Sequence, residues 1–131
     1  MSAKQDPVET LTLPNNLELR IYDRSRKLAG DRWYVEAMME IPIPLTPNIL
    51  EKLNPDKDLV EEFVRENGNP LLYRHQKARH FIDENEKDRA FQDLKEDFLK
   101  TNRNYLGNPR FADLVVAKAF REWEERRRWW R

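Results

Sequence analysis

His75 and His80 are the only histidines in the sequence, and so the only side chains that ordinarily titrate near neutral pH. Their spacing opposes a shared metal ion. Five residues apart, they fall on opposite faces of a strand and about 140° apart around a helix. Zinc-binding helices instead place two histidines on one face, as in H-E-x-x-H. Arg74, Lys77 and Arg79 surround the pair with positive charge, which repels a cation. No metal site is expected.

Carboxylates are abundant, but most have a local role. Asp56, Asp58, Glu61 and Glu62 fall in the first turns of an expected helix, where negative charge offsets the macrodipole. Glu36 and Glu40 are different, because they share one sheet face with Tyr34 and Met38. Their Cα atoms lie about 13 Å apart along an extended strand, too far for a tight acid–base dyad. Cross-strand pairing with Arg20 is the simpler role for Glu36.

Nucleophile motifs are absent from the sequence. The two serines, Ser2 and Ser25, lie in an arm and a connection, outside any G-x-S-x-G. Three isolated glycines build neither a phosphate-binding loop nor a dinucleotide fingerprint. With no cysteine, thiolate catalysis, disulfides and cysteine-ligated zinc are excluded. No cofactor is expected, and the balance leans away from an enzyme, although a site assembled from distant residues leaves no such motif.

Basic and aromatic residues offer binding chemistry instead. Arg24, Arg26, Lys27 and Arg32 cluster in segment 24–32, and Arg74, Lys77 and Arg79 in segment 72–82. The chain closes on Arg126, Arg127, Arg128, Trp129, Trp130 and Arg131. Together with Arg126 and Arg128, the two basic segments describe a composite phosphate-binding face on which tryptophans stack bases. A membrane contact through so short an Arg/Trp segment, preceded by Glu122, Glu124 and Glu125, ranks below it. Protein contact ranks first, since tryptophan and arginine are enriched in interface hot spots. Helix phase divides the tail: Trp130 continues the apolar stripe of Phe120 and Trp123, whereas Trp129 points about 100° away. Glu122–Arg126 and Glu124–Arg128 are spaced to pair along the helix. The expected contact residues are Arg127, Trp129, Trp130 and Arg131.

The 131 residues suit one domain. Charged residues make up 37% of the chain, yet 24 basic and 24 acidic side chains cancel, and aromatics reach 11%. A folded, heavily charged domain fits this better than a disordered chain, and the balance argues against a dedicated nucleic-acid binder. The sequence has no apolar run long enough to cross a membrane and no secretory signal, so a cytoplasmic protein is the default expectation.

The elements that must position these residues follow from periodicity. Residues 1–16 read as an N-terminal arm with "TLTL" as a short edge strand, and 17–131 as a single domain. Leu17, Leu19 and Ile21, then Trp33, Val35, Ala37, Met39, Ile41 and Ile43, alternate with polar residues, the pattern of half-buried strands. Charge favours Tyr22 opposite Tyr34 and Arg20 opposite Glu36, with "RSRKLAGDR" as a long connection. Segment 72–82 reads as a third strand, with Tyr73 and Phe81 on one face and Leu72 and Ile82 on the other. Thr46-Pro47 and Asn54-Pro55 read as helix starts. Leu59, Val60, Phe63 and Val64 form one stripe, ending at Asn67-Gly68. Asp83 with Glu86 opens a helix carrying Ala90, Phe91, Leu94, Phe98 and Leu99 to about Asn102. Asn108-Pro109 starts another, lined by Phe111, Val115, Val116, Ala119, Phe120 and Trp123.

The expected fold is therefore α+β, about three antiparallel strands packed against about three helices, with a helix-rich C-terminal half. The expected role is a non-catalytic protein–protein interaction domain, with homodimerisation as one form of it. A nucleic-acid-binding module using loop 24–32, strand 72–82 and the Arg/Trp tail is the alternative, and an enzyme with an unrecognised site comes third.

Overall fold

The computed structural model describes residues 6–129. The chain runs β1 (Glu9–Thr12), β2 (Glu18–Asp23), β3 (Arg26–Ala29), β4 (Arg32–Ile43), α1 (Pro47–Glu51), α2 (Lys57–Asn67), β5 (Leu71–Asp83), α3 (Lys87–Leu106) and α4 (Phe111–Trp129). The class is α+β. Among the described residues the antiparallel sheet has five strands and the helices number four, more than the pattern suggested.

β4 organises the molecule, with β2 and β3 along one edge and β5 along the other. Its alternating apolar residues Val35, Ala37, Met39, Ile41 and Ile43 are fully buried, joined by Leu19 and Ile21 of β2. Against this face α3 brings Phe91, Leu94 and Phe98, α2 brings Val60 and Phe63, and α4 brings Phe111, Val116, Phe120 and Trp123. Phe63 meets Phe120 edge-on at 5.2 Å and Trp123 at 5.5 Å, and Tyr73 meets Phe111 at 5.2 Å. Each such buried side chain contributes roughly 1.5–3 kcal/mol. One face of the sheet therefore holds the fold together.

Pairing by charge gave the wrong register. Arg20 stands opposite Glu40, not Glu36, and Tyr22 opposite Met38, not Tyr34. The cause lies in residues 24–32, which are not a loop. β3 doubles back on the start of β4, setting Arg26 against Tyr34 and Lys27 against Trp33. A two-residue turn at Gly30-Asp31 closes this hairpin. Gly30 has φ +57°, a left-handed conformation that costs glycine nothing because it lacks a Cβ.

β5 forms as expected but carries a bulge. Its register on β4 shifts between Trp33 and Val35, where Phe81 adopts φ +58°. The extra residue inverts the faces beyond it. Ile82 consequently pairs with Trp33 on the helix side, the side of Tyr73, rather than sharing a face with Leu72.

Helix ends follow local capping. Thr46 accepts from Ile49 N ahead of Pro47, starting α1. The cap of α2 is Asp56, which accepts from Asp58 N and Leu59 N; Asn54, the expected start, accepts from Asp56 N instead. Asp83 accepts from Asn85 N and opens a 3-10 turn before α3. That helix continues past Asn102 to Leu106 because the β1–β2 turn closes its end. Asn15 Nδ2 donates to Leu106 O (2.8 Å), a carbonyl that the helix end leaves bare, and to Asn108 O (3.0 Å) in the turn that follows.

Candidate binding face

The polar stripe of β4 points away from the helices. It presents Tyr34, Glu36, Met38 and Glu40 between Arg20 and Tyr22 of β2 and Arg74 of β5. No helix residue lines the cleft there, yet Glu36 and Glu40 are only 7% and 6% exposed. Their own neighbours bury them. Arg74 Nε donates to Glu40 Oε2 (2.8 Å), Arg20 Nη1 lies 3.7 Å from Glu40 Oε1, and Tyr22 Oη donates to the same oxygen at 3.4 Å. Arg24 Nε lies 3.8 Å from Glu36 Oε2 and its Nη1 donates to Met38 Sδ. Tyr34 Oη donates to Glu36 Oε1 at 2.5 Å.

This arrangement is layered. The acids lie beneath, while the side chains of Arg20, Arg24 and Arg74 are 38%, 49% and 54% exposed. Arg24 and Arg74 face outward above their buried partners, whereas Arg20 shares the surface with Glu18, 49% exposed and 2.8 Å away. A cleft of about 550 Å³ opens on this face, lined by Arg20, Tyr22, Arg24, Met38, Glu40, Pro70, Leu72 and Arg74. Its chemistry suits an anionic group carried on an apolar or aromatic body, since guanidinium pairs well with carboxylate or phosphate.

The hydrogen bond to Glu36 holds the Tyr34 phenol above its ordinary pKa, with burial adding to the effect. Arg20 is likewise raised by its hydrogen bond to Glu18. Outside the cleft, the Lys77 ammonium 2.9 Å away lowers Asp97. Glu36 Oε2 is buried and accepts no hydrogen bond among the described residues.

The structure disperses the basic residues of the composite phosphate surface. Arg24, Arg26 and Arg74 lie on the helix-free face, with Arg26 stacked on the Tyr34 ring at 4.5 Å. Lys27 pairs with Trp33 on the other side, and Arg32, at the start of β4, binds Asp83 and Asp31. Lys77 and Arg79 stand on the helix side. Arg126 and Arg128 are exposed near the end of α4, with no ion pair to Glu122 or Glu124 among the described residues. The two histidines fall on opposite faces, His75 against Phe98 and His80 against Tyr34.

Of the expected contact residues, Trp129 is 86% exposed. Arg127 is committed inward: its Nη2 donates to Glu62 Oε2 (2.9 Å) and its guanidinium covers Trp123 at 4.7 Å. Trp130 and Arg131 lie outside the described residues. Arg20 and Tyr22 were missed by sequence reasoning, although their alternation with Leu19 and Ile21 already marked them as the outward stripe of β2. Among the described residues no group of three or more histidines or acids is placed to hold a metal, and no helix is long and apolar enough to cross a membrane. Comparison with protein-family models, curated proteins and solved structures gives no match. The geometry of this face therefore carries the functional reading alone.

Proposed function

We propose that the protein is a non-catalytic interaction domain, and that the helix-free face of its sheet receives an anionic group of a partner protein. One observation carries this reading: Arg20, Arg24 and Arg74 converge on one open cleft as an outer layer, with Glu36 and Glu40 buried beneath. A partner meets the cations first. The dispersal of the other basic residues favours a compact protein epitope over a long nucleic-acid track.

The test is a titration of the intact chain with fluorescent octaglutamate and with single-stranded oligothymidine, at low and at raised salt. Octaglutamate is expected to bind, to weaken with salt, and to lose about tenfold in affinity in Arg24→Gln or Arg74→Gln. Preferential binding of oligothymidine, abolished by neutralising Arg126 and Arg128, would instead favour the nucleic-acid reading. A second contact, self-association through the α4 end, is supported by the exposure of Trp129. Light scattering across a concentration series tests it.

A further inference from the structure

β5 pairs with β4 along one edge only, and no strand among the described residues covers its outer edge. That edge is 13 residues long. An open edge of this length is a template for another strand, and native proteins discourage unwanted pairing there with charge. β5 does so with Arg74, Lys77 and Arg79. Antiparallel pairing with a second copy centred on Lys77 sets the two Lys77 side chains directly opposite each other. Like charges face each other, so a second copy is disfavoured. On the helix-free face Arg74, 54% exposed, favours acidic side chains on an added strand instead.

A second, independent feature adjoins this edge. A groove of about 320 Å³ runs between the start of β5 and α4, lined by Tyr73, Tyr105, Leu114, Val115 and Ala119 together with Lys118 and Glu122. Tyr105 and Leu114 are 47% and 48% exposed. Leu72 and Arg74 line both this groove and the cationic cleft on the opposite face. The two cavities therefore meet at the β5 edge.

We propose that the outer edge of β5 takes an extended segment of a partner protein as a further strand, alternating acidic and apolar residues. Strand periodicity sends successive side chains to opposite faces. Carboxylates of such a segment meet Arg74, the exposed cation of β5 on the helix-free face, while its apolar residues enter the groove beside Leu114. Backbone hydrogen bonds supply affinity and the two cavities supply specificity. The proposal rests on the reading of the sheet face as an anion-binding surface, and names the form of the partner.

The test uses the intact chain and a labelled eight-residue peptide alternating glutamate and leucine. Two analogues carry N-methyl groups, one on every glutamate amide and one on every leucine amide. A strand pairs through one of its edges, so one analogue is expected to lose about tenfold or more in affinity while the other binds like the parent. Leu114→Asp, on the exposed side of α4, is expected to weaken the parent peptide without changing the circular dichroism spectrum. Equal binding of both analogues overturns strand addition and leaves the anion-binding face standing. So does octaglutamate binding that depends on Arg24 when the alternating peptide fails to bind. Failure of both octaglutamate and the alternating peptide at low salt overturns both.

Discussion

Tyr34 donates a hydrogen bond to Glu36, two residues along the same strand, while the other oxygen of that carboxylate accepts none among the described residues. A residue spacing of two puts both side chains on one face, so the pair needs no long-range closure. Tyr34→Phe leaves Glu36 buried with Arg24 as its remaining ion-pair partner, and is expected to cost about 1–2 kcal/mol. The pair also makes stability pH-dependent. Because the folded phenol is raised, its stabilisation is complete below the ordinary tyrosine pKa of about 10 and is lost as pH rises through the folded value. Tyr73, raised by burial, acts in the same direction. Denaturant unfolding between about pH 9 and pH 11 should therefore show falling stability. The fall should be shallower in Tyr34→Phe but not abolished.

Glu40 and Arg74 form an unequal pair. The carboxylate side chain is 8% exposed and the guanidinium 54%. Removing the acid leaves an arginine that water can reach; removing the arginine leaves a buried charge held by Arg20 and Tyr22 at longer range. Arg74→Met should cost about 2 kcal/mol and Glu40→Gln about 1 kcal/mol. Chemical denaturation of the two single variants and the double variant measures both costs and their coupling. Equal costs would mean that the pair is solvated alike on both sides.

The fold was legible where one periodicity ran unopposed. The apolar stripes of β2, β4, α2, α3 and α4 are the buried faces, because burial of those side chains dominates the energetics. Register was not legible, since it depends on β3 occupying the place opposite Tyr34, and a four-residue strand with every residue exposed leaves no alternation to read. The face change at Ile82 was hidden for a related reason: a bulge costs one residue and has no apolar signature. For the binding face, the outward stripe was visible but its layering was not. Whether acids or arginines lie outermost depends on which neighbours flank Glu36 and Glu40, and that needs the register.

Phe81 sits in the left-handed region and is 73% exposed. A bulky non-glycine residue held there costs of order 1 kcal/mol or more, and little burial offsets it. Phe81→Gly should thus stabilise the protein by up to about 1 kcal/mol, raising the thermal midpoint, whereas Phe81→Val should lower it because a β-branched side chain fits φ > 0 less well. A lower midpoint for the glycine variant would show that the phenyl ring contributes packing beyond its exposure.

Gly107 is required by close approach rather than by its own φ. A Cβ there would stand 2.8 Å from Pro14 Cδ and 3.3 Å from the Arg103 carbonyl oxygen. Pro14 belongs to the turn whose Asn15 closes the α3 end, so displacing its ring disturbs that cap as well. Gly107→Ala is expected to cost about 1–3 kcal/mol as an overpacking change. Hydrogen exchange should show faster opening of the β1–β2 turn and the last turn of α3.

The α4 end divides between fold and surface within a single turn. Arg127 bridges α4 to α2 through Glu62 and covers Trp123, whose Nε1 donates to Glu66 at 3.0 Å. Trp129, two residues on, faces solvent. Arg127→Ala should then cost about 1–2 kcal/mol through the lost charge-assisted bond and stacking. Trp129→Ala should change stability by less than about 0.5 kcal/mol. If the exposed indole also mediates self-association, Trp129→Ala shifts the light-scattering mass toward the monomer while the unfolding midpoint of the monomer stays in place. A loss of stability in Trp129→Ala as large as that in Arg127→Ala would assign the indole to packing and remove it as a contact residue.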